Sequence, residues 1–209
     1  RLLEFRRVLF PLAMAGLIAL LGGHVGLRTA LVKIGSGVVA IGALVLLALN
    51  LHGETQWLRF DWPWLQKTVL GLDILVTLIL LVIAVRGRQI TVTALVIAQA
   101  ALIGMTEFGG HAHAHVEAPL FIDSFSMIMA HIVGVIGGLI VWHAVGYMPH
   151  YHHHHPEAPG GQRWFFATIY LFLGAMYALV FSNHLGWLFL AWEVTTLCSF
   201  LLISYPRTP

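Results

Sequence analysis

Residues 164–192 read WFFATIYLFLGAMYALVFSNHLGWLFLAW, 29 positions without an Asp, Glu, Lys or Arg. Crossing ~30 Å of hydrocarbon at ~1.5 Å per residue takes about 20 residues, so this run is longer than one span. Ser182-Asn183-His184 interrupts it, and two spans are expected: Trp164–Phe181, and Leu185–Tyr205 carrying Glu193. The same reading, carried towards the N-terminus, gives Val8–Leu27 between Arg7 and Arg28, and Ile34–Gly53 between Lys33 and Glu54. Thr68–Val85 follows, apolar apart from Asp73, then the uncharged Gln89–Thr106, then Ser126–Met148 with His131 and His143 inside it. Lipid cannot hydrogen-bond a bare backbone, so spans must be helices or a closed barrel. A barrel needs alternation with period two, which is not visible. The expected fold class is therefore an all-α, polytopic membrane protein of about seven transmembrane helices.

Composition agrees. Of 209 residues, 59% are hydrophobic and 10% charged, against roughly 25% charged in a soluble domain. The mean hydropathy is +0.86. These values exclude a water-soluble globular protein, a disordered chain and a nucleic-acid-binding domain. A formal net charge of +2 is too small to argue for an anionic partner. The single cysteine, Cys198, allows neither a disulfide framework nor a cysteine cluster within the chain.

The prolines fit this division. Pro63, Pro119, Pro149, Pro156, Pro159, Pro206 and Pro209 fall in expected connections or ends, with Pro11 in a first turn, where proline is tolerated. Trp57, Trp62, Trp64, Trp142, Tyr147, Tyr151, Trp164 and Tyr205 sit near span ends, as in an interfacial belt. Asp123 or Ser124 is a candidate N-cap for the fifth helix. Arg1, Arg6, Arg7, Arg59 and Lys67 on one side against Arg28, Lys33, Arg86, Arg88, Arg163 and Arg207 on the other leave orientation open. The chain opens on Arg1 without a cleavable signal pattern. The simplest expectation is an N-terminal piece of a longer chain; the alternative is a naturally short subunit.

Glu193 is the polar residue that most needs a reason. It lies roughly 12 Å into its helix, close to mid-depth, where an acid costs about 2.5–3.5 kcal/mol on insertion scales. It must pair with a base, line a wet cavity or carry a proton, and each makes it a candidate proton carrier. Thr196, within reach on the same helix, is a candidate hydrogen-bond partner, and Gly186 would admit a close neighbouring helix. The alternative is a structural carboxyl held between helices. Asp73 reads as an interfacial acid favoured by its helix N-terminus, with Lys67 nearby. His131 is a candidate proton relay, because imidazole titrates near neutrality, and His143 is expected near the interface.

Two histidine clusters, His111-Ala-His113-Ala-His115 and His150-Tyr-His152-His153-His154-His155, fall in expected loops. Imidazole binds zinc, copper and nickel, but contiguous histidines set no tetrahedral geometry. A solvated, pH-responsive loop or adventitious binding is expected ahead of a dedicated metal site at His111, His113, His115, His152, His153, His154 and His155.

From Ile122 onward the chain resembles a known family. Ile122-Asp-Ser-Phe-Ser126-Met-Ile-Met is similar to the segment opening the third helix of antiporter-like subunits of respiratory complex I. Tyr147-Met148, Arg163-Trp-Phe-Phe, Leu173-Gly-Ala-Met176 and Val180-Phe-Ser-Asn183-His-Leu-Gly-Trp-Leu-Phe-Leu follow in order. The closing run Ala191-Trp192-Glu193-Val-Thr-Thr-Leu-Cys198-Ser199-Phe200-Leu-Leu-Ile203 is similar to the family's fifth helix. The wording Trp192–Ser199 looks closest to large membrane subunits of energy-converting [NiFe] hydrogenases and formate hydrogenlyase-like complexes. Complex I and Mrp-type sodium/proton antiporters are similar but less close.

The resemblance implies a proton- or sodium-translocating membrane subunit of a redox-driven complex. It implies no cofactor in this chain, with [NiFe], iron–sulfur or flavin groups only in partner subunits. The partners would be other membrane and peripheral subunits, in a prokaryotic inner or plasma membrane, with no nucleic acid. An Mrp-type cation/proton antiporter subunit not coupled to electron transfer is the alternative. In the family the glutamate matching Glu193 pairs with a lysine two helices later, which here would come after residue 209. The family would also place the loop from Met148 to Arg163 in the cytoplasm. Residues 1–121, expected helices one to four, receive no family assignment, whereas 122–209 form the antiporter-like part. The complex I subunit has two helices before the matching region where this chain has four, so Asp73 receives no role from the resemblance.

Overall fold

The computed structural model describes residues 2–50, 55–58, 63–108, 118–154 and 161–205. Among the described residues, seven helices and two short strands follow one another: α1 (Leu2–Leu21), α2 (Val25–Asn50), β1 (Gln56–Leu58), α3 (Pro63–Arg86), α4 (Ile90–Phe108), β2 (Leu120–Ile122), α5 (Ser124–His154), α6 (Gln162–Phe181) and α7 (Leu185–Ile203). The seven-helix expectation is borne out. Five described helices are long and apolar enough to cross a membrane, and shorter apolar stretches lie within α1 and α4. Large apolar side chains such as Leu20, Ile41, Ile90 and Ile203 are exposed, a surface that suits acyl chains and not water.

Several boundaries differ from expectation, each for a physical reason. The first connection is only Gly22–His24, so Arg28 and Lys33 belong to α2 and not to a loop. Arg28 is tolerated there because it donates to the Gly22 carbonyl and to Gln162 Oε1 of α6. Lys33 lies over the Trp142 ring of α5, 5.8 Å from its centroid, a cation–π contact. Pro11 lies inside α1 and Pro149 inside α5, not at a first turn or in a connection. Membrane helices accept such prolines because neighbouring groups re-satisfy the freed backbone. The short strands were not expected: β1 and β2 pair antiparallel, with Trp57 opposite Phe121. They tie the segment before α3 to the segment before α5.

The choice of N-cap falls on Asp123. Its Oδ1 accepts from the Ser126 backbone N–H at 2.7 Å, while Ser126 Oγ accepts from the Asp123 N–H at 2.9 Å, a reciprocal box with serine in the third position. The interruption at residues 182–184 also has a structural use. The Asn183 backbone N–H donates to the Pro119 carbonyl at 2.8 Å, and its side-chain amide donates to the Ala118 carbonyl at 2.9 Å. The α6–α7 turn is thereby clamped to the entry of α5.

The helices fall into two groups. α2 packs along α5, α1 along α6, α5 on α6, and α7 on α6. α3 and α4 form a hairpin of their own, closed by the Gly87–Gln89 turn with Arg88 at φ 52°, and α3 docks on α7. Between helices in lipid the driving force is close packing more than burial from water. On α5 the seam against α2 runs through Ala130, Gly134 and Gly138, all buried. A methyl group on Gly138 would lie 3.0 Å from the Ser36 carbonyl oxygen and 3.1 Å from Ala40 Cβ, so only a small residue permits this approach. Tyr170 of α6, fully buried, donates its hydroxyl to the Val32 carbonyl of α2 at 2.8 Å. Tyr170→Phe is expected to lower stability by about 0.6–1.7 kcal/mol, the range found for interhelical hydrogen bonds. Unfolding in mixed detergent would measure it, and an unchanged midpoint would show that the bond contributes nothing.

Candidate functional site

The site is built around Glu193, the ninth residue of α7. It lies about 12 Å along the helix at ~1.5 Å per residue, and the residue is only 5% exposed. It does not face lipid. Gln99 of α4 donates its side-chain amide to Glu193 Oε1. From α3, the Asp73 carboxyl meets the Glu193 carboxyl within hydrogen-bonding reach. Asp73 is 7% exposed, and because α3 begins at Pro63 it sits roughly 15 Å into its helix. Three polar side chains from three helices therefore converge at similar depth.

This corrects the expectation for Asp73, which is neither interfacial nor near the start of its helix. The span was read as starting at Thr68, but the helix extends back to Pro63 and carries Asp73 inward. The buried face of α3 is Asp73, Val76, Thr77 and Ala84, a helical stripe facing the bundle, while Lys67 is exposed. Thr196 is also corrected. It is exposed, and its hydroxyl donates to the Trp192 carbonyl at 3.0 Å one turn back, so it gives Glu193 no hydrogen bond. Gly186 is exposed, and a methyl there would meet only the His184 ring among the described residues. The partners that sequence reasoning missed are Asp73 and Gln99. Their signal was present, since Asp73 and Glu193 are the acids within the expected spans, and intramembrane acids face the bundle and one another.

His131 lies on α5, which packs on α2 and α6, whereas α7 packs on α6 and α3. No hydrogen bond joins His131 to Glu193 among the described residues, and His131 Nδ1 is buried without a partner. His143 is exposed and stacks on Tyr147 with centroids 6.4 Å apart.

The second histidine cluster is not in a loop. His150, His152, His153 and His154 form the end of α5, where cationic or dipolar side chains suit the exposed carbonyls. His152 Nδ1 lies 2.8 Å from the Met148 carbonyl one turn back, and His152 Nε2 lies 3.2 Å from the Tyr205 hydroxyl. Gln162 connects this pair to Arg28. His152 is thus a tie between α2, α5, α6 and the end of α7. No group of three or more metal-ligating side chains occurs among the described residues. His111, His113, His115 and His155 lie outside the described residues.

Chemically, the three-helix site can hold and release a proton inside the membrane. Both carboxyls are withdrawn from lipid, and Gln99 leaves the bond to Glu193 in place whichever carboxyl is charged.

Comparison with known proteins finds similarity over part of the chain. Residues 111–157 match the family described as NADH-Ubiquinone oxidoreductase (complex I), chain 5 N-terminus. The Na(+)/H(+) antiporter subunit A1 of Staphylococcus haemolyticus is 35% identical over 95 residues, covering 46% of this chain and 11% of the relative. The subunit of the same name from Staphylococcus aureus (strain Newman) is 33% identical over 95 residues, with the same coverage of 46% and 11%. The chain thus matches about a tenth of the length of these relatives. The matches agree with the all-helical membrane fold, and part of the chain is similar to antiporter-like membrane subunits of the complex I superfamily.

Proposed function

We propose that this chain is part of a proton- or sodium-translocating membrane subunit of a redox-driven complex, with Glu193 as the proton-carrying side chain. The observation that carries the reading is a buried carboxyl at mid-membrane depth, held by Gln99, on the helix with the Trp192-Glu193…Leu197-Cys198-Ser199 motif. An acid costs about 2.5–3.5 kcal/mol there, which an inert position would not retain a charge to bear. Glu193 would alternate between an ion-paired and a protonated state as a lysine of the family's kind approaches and withdraws. In a low-dielectric site, moving a unit charge by a few ångströms changes the interaction by well over the ~1.4 kcal/mol that shifts protonation tenfold. His131, with an unpartnered buried nitrogen, is the second candidate relay, serving a step away from Glu193.

The redox partners, with their [NiFe], iron–sulfur or flavin groups, are proposed on the resemblance of Trp192–Ser199 to hydrogenase-type subunits, and the bilayer would be a prokaryotic plasma membrane. A second reading, an Mrp-type antiporter driven by an existing gradient, is favoured by the names of the relatives. Inverted membrane vesicles carrying the complete protein separate the two. The proposal expects lumenal acidification on adding an electron donor alone. Acidification that needs an imposed sodium gradient and ignores the donor would replace the redox reading with the antiporter one.

A further inference from the structure

The α3–α4 hairpin is the part of the chain that the family resemblance leaves without a role, yet it supplies both polar neighbours of Glu193. α3 docks on α7 and brings Asp73; α4 brings Gln99. Written as carboxylates, Asp73 Oδ1 and Glu193 Oε2 are buried with no hydrogen-bond donor. An ionised carboxyl only accepts, so two carboxyls within hydrogen-bonding reach make a bond only when a proton lies between them. One turn from Asp73 on the same buried face, the Thr77 hydroxyl is also buried and unpartnered, another group able to take part in a proton's hydrogen bonds.

Among the described residues, the surrounding charges do not offer an alternative. On α3, Lys67 and Arg86 lie near the two ends and are exposed, and the side chains described on α4, those of Ile90–Met105, carry no charge. On α6, which packs on α7, Arg163 sits in the first turn, the Tyr170 hydroxyl is committed to Val32, and Tyr177 stacks on Phe181. His131 stands on α5, beyond α6. A sodium ion fits this site poorly. Gln99 presents an N–H, not an oxygen, to Glu193, and the remaining oxygens are too few for a hard cation's shell.

We propose that Asp73 and Glu193 hold one proton between them, and that Asp73 is the immediate exchange partner of Glu193 within the membrane. The step is Asp–COOH with Glu–COO⁻ converting to Asp–COO⁻ with Glu–COOH. The O–H bond on one carboxyl breaks as the other forms, and the pair keeps a charge of minus one. A second proton neutralises the pair, and its departure restores it. This rests on the reading of Glu193 as the translocating residue, and it gives the additional hairpin a function: it carries half of a proton-sharing pair to the family's glutamate.

The test uses membrane vesicles containing the complete protein as wild type, Asp73→Asn, Asp73→Glu and Glu193→Gln. Two measurements are made: ion translocation, and infrared spectra in H2O and 2H2O at neutral pH. Wild type is expected to show a protonated-carboxyl C=O stretch that shifts in 2H2O. Asp73→Asn is expected to move that band and lower translocation at least about tenfold, equivalent to about 1.4 kcal/mol. Asp73→Glu should recover part of both. Wild-type translocation and an unmoved band in Asp73→Asn, while Glu193→Gln is inactive, would overturn the shared proton and leave the reading of Glu193 standing. Normal translocation by Glu193→Gln would overturn that reading, and the exchange role with it; the infrared band alone would then decide the shared proton. If Asp73→Asn does not assemble, a wild type without a deuterium-sensitive carboxyl band overturns the proposal. A band that shifts with sodium and not with deuterium also overturns it.

Discussion

Glu193→Gln is expected to abolish translocation in vesicles while the protein still assembles and inserts. The substitution is nearly isosteric, and the amide oxygen can still accept from Gln99, so the α4–α7 contact survives. Removing an acid from mid-membrane also removes a burial cost of about 2.5–3.5 kcal/mol, so the variant has no reason to be less stable than wild type. What the amide cannot do is take up and release a proton. Loss of transport with normal assembly is therefore the signature of a carrier, whereas a structural carboxyl predicts little loss of transport. Glu193→Ala makes the contrast, because it leaves the Gln99 amide and the Asp73 carboxyl facing an apolar methyl. That variant should lose stability as well as activity, by about 1–3 kcal/mol per unsatisfied buried group. Translocation by Glu193→Gln at the wild-type rate would remove Glu193 from the mechanism.

Gly134→Leu is expected to separate α2 from α5 and leave little folded protein. A methyl built on Gly134 already collides with the Tyr177 hydroxyl of α6 and with Ala43 of α2, and it comes within 3.4 Å of the Val39 carbonyl oxygen. Neither a backbone carbonyl nor a buried tyrosine can give way cheaply. Overpacking of this kind costs about 1–3 kcal/mol for a few added methylenes, and here three helices meet at the position. Gly146, also on α5, has open space where its side chain would be, so Gly146→Ala is the matched control and should be near neutral. The fraction of folded protein recovered in detergent, with thermal unfolding of what survives, measures both. Equal recovery of the two variants would mean that the Gly134 seam does not hold the bundle together.

Much of this architecture is written in local chemistry. Uncharged runs of about 20 residues make helices because lipid offers the backbone no partner, and Asp123 caps α5 because a short carboxyl can reach a first-turn N–H. The errors share a cause. Charged or proline-bearing positions were read as connections, yet Arg28, Pro11 and Pro149 all lie within helices. Arg28 is held by Gln162 of α6 and Pro11 is fully buried in the bundle, contacts that a one-dimensional hydropathy reading does not contain. His152 is the same case at the end of α5, where Tyr205 and Gln162, distant in sequence, give the ring its partners.

The amino-acid order by itself determined the number of spans, their approximate limits and the presence of a carboxyl deep in the seventh, because backbone satisfaction in lipid and the cost of buried charge act on each segment alone. Only the tertiary structure decided what that carboxyl meets. The neighbours of a side chain inside a bundle depend on which helices can approach closely, and that is set by small-residue seams and by the docking of α3 on α7. The fold brings Asp73 and Gln99 to Glu193, and it leaves Thr196 and His131 away from it.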